Sequence, residues 1–170
     1  FKTALRGDDP VLFLEHKRTY RLFRQEMDGA PAETRIGKAR VTRQGGDLTI
    51  FAYGLMLHES LAAAETLSGE GTECTVVDLL TLNPLDRETI LDSARATGKV
   101  LIVHEDTLTG GLGGEIAAII AEHAFEYLDA PIRRVAGPDI PPIPFHHAME
   151  DFFMPNRDKI ASAARELAAY

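Results

Sequence analysis

The sequence predicts an α/β domain, in which three layers, α/β/α, surround a mostly parallel sheet of about five strands. Apolar runs of strand length alternate with amphipathic segments of helix length from residue 45 onward, the pattern of βαβ units. The run at residues 100–103 is continuously apolar, as expected of a strand buried on both faces of a parallel sheet. A loop with four glycines and the start of a helix follow that run, which places the loop at the end of the sheet where ligands and subunits bind.

The individual elements follow from these periods and from their stop signals. Strands are predicted at residues 48–53, 74–79, 100–103 and 132–135, with a short buried strand at 11–14. Helices are predicted at about 55–67, 86–97 and 115–128, and a last one begins near Asn156. Asp86 is a suitable N-cap for the second helix, and Gly98 is a suitable stop. The stretch from 15 to 35 has no sustained period and is interpreted as irregular.

Two of the helices have a predicted inward face. In the 115–128 helix that face comprises Ile116, Ile119, Ile120, His123 and Tyr127. In the last helix it comprises Ile160, Ala163, Ala164 and Leu167.

Composition excludes some classes of function. The formal net charge of -8 argues against a nucleic-acid partner, because such proteins concentrate Lys and Arg. Cys74 is the only cysteine and lies in an apolar run, so we interpret it as a buried hydrophobe, in a cytoplasmic or organelle-matrix protein. No apolar stretch reaches the length of about 20 residues that a membrane span needs, and no signal peptide is visible. A chain that starts at Phe1 rather than Met is expected to be a fragment.

Two clusters near residue 104 have alternative interpretations. His104, Glu105 and Asp106 are either an acid/base cluster or side chains at a subunit contact. The glycine loop at residues 110–114 could cradle a phosphate at a helix N-terminus, and its glycines let the backbone come close to a neighbouring group. Glu115 in the first helical turn argues against a bound anion, because its own charge lies where the anion would sit.

Other polar side chains carry weaker signals. His146 and His147 with Glu150 and Asp151 superficially suggest a metal site, but adjacent histidines point apart, and zinc needs three or four ligands. His58 and His123 are interpreted as packing or solvent-facing residues. Ser60 and Ser162 lie in predicted helices without the sharp turn that a hydrolase nucleophile needs.

A series of phrases covering almost the whole chain carries a family resemblance. They read FLEHKRTYR, DLTIFAYG, VVDLLTLNPLD, TGKVLIVHED, TGGLGGEI, APIRRVAGPDIPPIP and MPNRDKI. In this order they resemble the C-terminal part of the β subunit of the thiamine-diphosphate-dependent decarboxylase of 2-oxo acid dehydrogenase complexes, of the pyruvate or branched-chain type. Transketolase and deoxyxylulose-phosphate synthase share the fold, but the first phrase and the His-Glu-Asp triplet favour the dehydrogenase subunit.

The resemblance implies a domain plan and a function. Residues 1–25 would be a remnant of the preceding pyrimidine-binding domain, 26–44 a linker, and 45–170 a transketolase C-terminal-like domain. The full α2β2 enzyme would use thiamine diphosphate and Mg, both bound outside this chain, for oxidative decarboxylation and reductive acylation of lipoyl groups. The fragment alone would be inactive, with no catalytic or cofactor-binding residue of its own.

The resemblance also implies sites of assembly. His104, Glu105, Asp106, Gly110, Gly111 and Tyr170 would belong to a surface that contacts the second β subunit and docks the peripheral subunit-binding domain of the acyltransferase. The backbone carbonyls of Ala4, Gly7 and Asp9 would form half of a potassium site. The competing hypothesis is a freestanding α/β module that binds a phosphate-bearing ligand at residues 110–114.

Overall fold

The computed structural model describes residues 1–22, 24, 26, 34–140 and 145–170. Its strands form one five-stranded sheet in the order β1-β3-β2-β4-β5. Their bounds are β1 Arg40–Arg43, β2 Leu48–Ala52, β3 Cys74–Asp78, β4 Val100–Thr107 and β5 Arg133–Gly137. All neighbouring pairs are parallel except β1 and β3, which run antiparallel. The predicted mostly parallel α/β sheet is therefore confirmed.

Helices cover both faces of this sheet. The described helices are α1 Lys2–Arg6, α2 Leu55–Ser68, α3 Arg87–Thr97, α4 Leu112–His123, α5 His147–Phe153 and α6 Arg157–Ala168, with 3-10 turns at Lys17–Arg21 and Phe125–Tyr127. Helices α2 and α6 pack on one face of the sheet, and α3 and α4 pack on the other. None of the helices in the described ranges is long and apolar enough to cross a membrane.

Each face of the sheet has its own aliphatic core. Every residue of β2 and β3 is buried, as their apolar sequences require of central strands. On the α3 and α4 side, Phe51 packs with Ile90, Ile116 and Ile120 among others. On the α2 and α6 side, Leu67 and Leu101 pack with a stripe of α6 comprising Ile160, Ala161, Ala164 and Leu167. Ala163 of the predicted stripe is partly buried against this cluster.

Local capping signals behave as predicted. The side chain of Asp86 accepts a hydrogen bond from the backbone N–H of Thr89 at 3.2 Å, which satisfies one free donor of the first turn of α3. Gly98 ends this helix with a φ of 66°, a left-handed conformation that favours glycine. Asn156 caps α6 by accepting from the N–H of Lys159 at 3.0 Å.

Strand β1 was not predicted, and it lies inside the segment 26–44 that was predicted to be a linker. Its sequence is short and charged, so it carries no apolar alternation. Long-range contacts hold it instead: the N–H of Ala39 donates to Asp86 at 2.9 Å, and Arg40 pairs with Asp78 at 3.2 Å. Residues 27–33 of the predicted linker lie outside the described residues.

The predicted buried strand at residues 11–14 is wrong for this chain. These residues have no strand structure, and their apolar side chains are exposed, Leu12 by 85%. A strand needs a partner, and none of the described strands pairs with this segment. Whether residues 1–25 belong to a preceding domain stays a prediction.

Helix α4 differs from the predicted 115–128 helix at both ends. It begins at Leu112, so two of the loop glycines lie in its first turn, and it ends at His123. Ala124 leaves the helical conformation at φ -143°, so Tyr127 lies beyond the helix, and both His123 and Tyr127, which were predicted to face inward, are exposed. His123 then contacts Arg87 at 2.7 Å, and Arg95 lies 5.5 Å from the centre of the Tyr127 ring.

Candidate functional site

The carboxyl ends of β2 and β4 flank the point where the strand order reverses. The chain passes from β2 to β3 on one side and then returns to β4 on the other side. Open α/β sheets bind ligands at such a point. Here the ring of Tyr53, directly after β2, stacks on the ring of His104 in the second half of β4, with centroids 6.5 Å apart and planes 7° apart.

His104 is completely buried. Neither of its ring nitrogens has a hydrogen-bond partner within the described part of the chain. Burial lowers the pKa of His104 from its usual value, the charge and the nearby backbone of Asp106 oppose this shift, and the charge of Arg134 adds to it. The ring is therefore neutral at pH 7, and no described side chain is hydrogen-bonded to it to take or give a proton.

Two loop glycines pack directly on the His104 ring. A Cβ on Gly111 would lie 2.7 Å from Cε1 of His104, and one on Gly113 would lie 2.6 Å from Cδ2. Real Cβ atoms do not approach so closely, so Gly113 needs to be glycine because of the ring, and Gly111 because of the ring and of the backbone carbonyl of Thr107, which a Cβ would approach more closely still. The glycine pattern that suggested a phosphate cradle thus has a packing explanation.

The loop does not fit a diphosphate. The N–H of Gly114 is already donated to the carbonyl of Gly111 at 3.0 Å, and Glu115 is an exposed acid in the first turn of α4. The loop is also anchored from outside, since the N–H and the hydroxyl of Thr109 both donate to Asp139. These two bonds lower the pKa of Asp139.

The His-Glu-Asp triplet is not an acid/base constellation, because its three side chains occupy different environments. Whereas His104 is buried, Glu105 is half-buried and pairs with His16 of the N-terminal segment at 3.0 Å, and Asp106 is exposed. Burial raises the pKa of the Tyr53 phenol, and the charges of Asp106 and Glu105 add to the rise. A role of the triplet in a subunit contact stays a prediction.

Tyr170 does not lie beside this triplet, contrary to the expected arrangement. The side chain of Lys99, just before β4, donates to the carbonyl of Ala168 at 2.8 Å, so the end of α6 lies at the amino end of the strand. Glu105 and Asp106 lie at its carboxyl end. Helix α6 packs against β4 and runs antiparallel to it, which separates the two groups. Within a single chain, Tyr170 and the triplet therefore do not belong to the same surface.

Tyr170 instead borders a shallow, mostly apolar groove of about 580 Å³. The groove is lined by Ala121, Phe125, Leu128, Asp129, Ala130, Pro131, Ile132 and Tyr170. Phe125 is 74% exposed and Tyr170 is 65% exposed, so the groove presents two aromatic side chains to a partner. Sequence analysis missed Phe125, although an aromatic residue directly after a helix end was the available signal.

The structure brings no cluster of metal-binding side chains together in the residues that it describes. In residues 1–22, 24, 26, 34–140 and 145–170, no group of three or more His, Cys, Asp or Glu side chains could hold a metal ion. His146 and His147 are exposed, at the start of α5. Burial raises the pKa of the Cys74 thiol to about 11, so it is unreactive at neutral pH. Ala4 lies in α1, and Gly7 and Asp9 lie in the exposed turn after it; their potassium half-site stays a prediction.

Residues 37–160 match the family model of the transketolase C-terminal domain. The chain belongs to the transketolase C-terminal domain family. Among curated relatives, this family member is 52% identical over 169 residues to the 2-oxoisovalerate dehydrogenase subunit beta of Bacillus subtilis (strain 168). It is 42% identical over 168 residues to the pyruvate dehydrogenase E1 component subunit beta of the same organism. These matches cover 99% of the chain but only 52% and 51% of the relatives, so the chain spans about half their length.

Solved structures support the fold of this transketolase C-terminal domain. A split gene transketolase, solved as an inactive beta4 tetramer, superposes with a TM-score of 0.71 at 30% identity, over 82% of this chain and 44% of that chain. A 2-oxoglutarate:ferredoxin oxidoreductase from Magnetococcus marinus superposes with a TM-score of 0.52 at 11% identity, over 77% of this chain and 19% of that chain, which is a likeness of fold alone. The sequence resemblance and the predicted fold class are thus confirmed.

Proposed function

We propose that this chain is the C-terminal region of a β subunit of a 2-oxo acid dehydrogenase, and that its task in that enzyme is assembly and docking. The observation that carries the proposal is the 52% identity to a 2-oxoisovalerate dehydrogenase β subunit over 99% of the chain. The 30% identity to the split transketolase is lower, which favours the dehydrogenase over a transketolase. The higher identity to the 2-oxoisovalerate enzyme than to the pyruvate enzyme favours a branched-chain substrate.

The chemistry of the chain supports an assembly role. His104 is neutral and unpartnered, and the glycine loop does not fit a diphosphate. Thiamine diphosphate and Mg would therefore be held by the rest of the β subunit and by the α subunit of an α2β2 enzyme. A freestanding phosphate-binding module is disfavoured for the same reason, because its expected site is filled by packing.

The proposal predicts activity only for the assembled enzyme. The full-length subunit, purified with its α partner, thiamine diphosphate and Mg, is expected to decarboxylate 2-oxoisovalerate, with reduction of an artificial electron acceptor as the assay. The 170-residue chain alone is expected to have no activity under the same conditions. Absence of activity with both 2-oxoisovalerate and pyruvate in the assembled enzyme would overturn the proposal.

We further propose that the groove beside Tyr170 docks the peripheral subunit-binding domain of the acyltransferase. Such small domains are typically basic, and the groove combines exposed Phe125 and Tyr170 with the exposed carboxylate of Asp129. An acidic partner surface also speeds capture of a basic domain, in agreement with the net charge of -8.

Deletion of Tyr170 from the intact α2β2 enzyme, or the substitution Phe125→Ala, is expected to weaken docking. An aromatic anchor at an interface centre contributes on the order of 1–3 kcal/mol, so the dissociation constant for the isolated binding domain should rise about 5- to 150-fold. Activity with an artificial acceptor should stay unchanged. Glu65→Ala, at an exposed position of α2 outside the groove, is the control. Unchanged affinity in both groove variants would exclude this docking site.

A further inference from the structure

Buried polar atoms without partners concentrate at the carboxyl edge of the sheet. Of the five such side-chain atoms in the described part of the chain, four belong to His16, His104 and Glu105. His104 contributes both of its ring nitrogens. Buried polar groups nearly always find a partner, because each one left unpaired costs the full free energy of its desolvation. An unpaired imidazole at the point where the strand order reverses therefore needs a functional explanation.

The surroundings of this ring oppose a positive charge. Gly111 and Gly113 pack on it from the first turn of α4, whose N-terminal end carries the positive pole of the helix dipole. Tyr53 stacks on it from β2, and Arg134 of β5 adds a repulsive positive charge. Asp106 of its own strand is the opposing acid, but it is exposed and therefore strongly screened by solvent.

We propose that His104 is a proton-sensitive latch: its neutral ring holds the segment from Thr107 to Gly113 against β4, and protonation of the ring releases that segment. A charged ring needs water or an acceptor at both nitrogens, and the packed glycines leave room for neither. Moving the glycine backbone away is the least costly way to solvate it. The other anchors of the segment are the bonds of Thr109 to Asp139 and of Leu108 to Gly137. The bonds to Asp139 are at the surface and so are easily exchanged for water.

The direction of the pH effect follows from linkage. The ring binds a proton less readily in the closed state than in the open state, where its pKa is the ordinary value of about 6.5. The closed state is therefore fully favoured above about pH 6.5 and loses stability, relative to the open state, as the pH falls below that value. Below that value, the ratio of closed to open segment should fall with the pH, by at most about tenfold for each pH unit. This inference does not depend on the reaction of the full-length subunit.

Hydrogen exchange of the full chain between pH 7.5 and 5.5, corrected for the intrinsic rate, tests the latch. In the wild type, the protection of amides 107–113 is expected to fall between pH 7.5 and 5.5, by up to about tenfold, while that of β2 amides stays constant. His104→Phe keeps a ring that can stack on Tyr53 but cannot titrate, and His104→Asn is a smaller polar alternative. Both variants should lack the pH-dependent loss. His147→Gln, at an exposed histidine of α5, should keep it.

A second measurement keeps the test decisive if neither variant folds. NMR titration of the wild-type ring should show His104 ionising below pH 6.5, together with the exchange of amides 107–113. His16 and its contact with Glu105 are present in every variant, so their effect on the segment is common to all of them. Constant protection of residues 107–113 in the wild type would overturn the latch, as would an equal loss in folded His104→Phe and His104→Asn. Ionisation of His104 at or above pH 6.5 would overturn it as well.

Discussion

Replacing Gly113 with alanine is expected to lower the free energy of unfolding by about 2–3 kcal/mol. Gly113 lies in the first turn of α4 and is buried, and a Cβ there would overlap the His104 ring and lie 3.4 Å from Ile102. At an ordinary helix position the same change is stabilising by about 1 kcal/mol, because alanine has the higher helix propensity. Local sequence rules therefore predict that the substitution stabilises the protein, whereas the packing of the His104 ring makes it destabilising. Urea denaturation measures the change in the free energy of unfolding.

The control for this change is Gly46→Ala, in the turn before β2, where an added Cβ meets nothing within 4 Å. It is expected to alter the free energy of unfolding by no more than about 0.5 kcal/mol. A double-mutant cycle with His104→Ala identifies the cause, because removal of the ring should relieve most of the cost of Ala at 113. A stabilising effect of Gly113→Ala, or additive effects in the cycle, would contradict the packing that the structure describes.

Phe51→Ala is expected to lower the free energy of unfolding by about 3–5 kcal/mol. Phe51 is fully buried on central strand β2 and packs between the sheet and helices α3 and α4. Truncation leaves a cavity that the rigid strands on both sides cannot close, so the cavity term adds to the lost burial. The measurement is again the denaturation midpoint, with the slope of the transition checked for two-state behaviour.

Phe125→Ala is the matched control, since it removes the same atoms from a side chain that is 74% exposed. It should change the free energy of unfolding by about 0.5 kcal/mol or less. Phe125→Ala is expected to weaken docking without loss of stability, whereas Phe51→Ala is expected to lower stability. The two variants therefore separate a docking phenylalanine from a core phenylalanine. If Phe51→Ala and Phe125→Ala were equally destabilising, the assignment of Phe51 to the core would be wrong.

The carboxyl edge of the sheet was only partly predictable. The continuous apolar run before His104 and the glycines after it correctly placed a loop at the end of a buried strand. The structure does not support the acid/base alternative for His104, Glu105 and Asp106, because consecutive strand residues face different surroundings, and their role at a subunit contact stays a prediction. The packing role of Gly111 and Gly113 depends on the position of the His104 ring, which only the tertiary structure gives.

The amino-acid sequence by itself determined the class of the fold, the order of the central strands and helices along the chain, and their caps. Those features depend on period, capping and glycine positions within a few residues of each other, as at Asp86 and Gly98. Only the tertiary structure decided that β1 joins the sheet, that residues 11–14 stay exposed, and that Tyr170 lies at the opposite edge from Glu105. Those outcomes depend on pairing and packing between segments that are far apart in the chain. The local sequences of the charged strand β1 and of the last turn of α6 do not indicate which distant segment each one contacts.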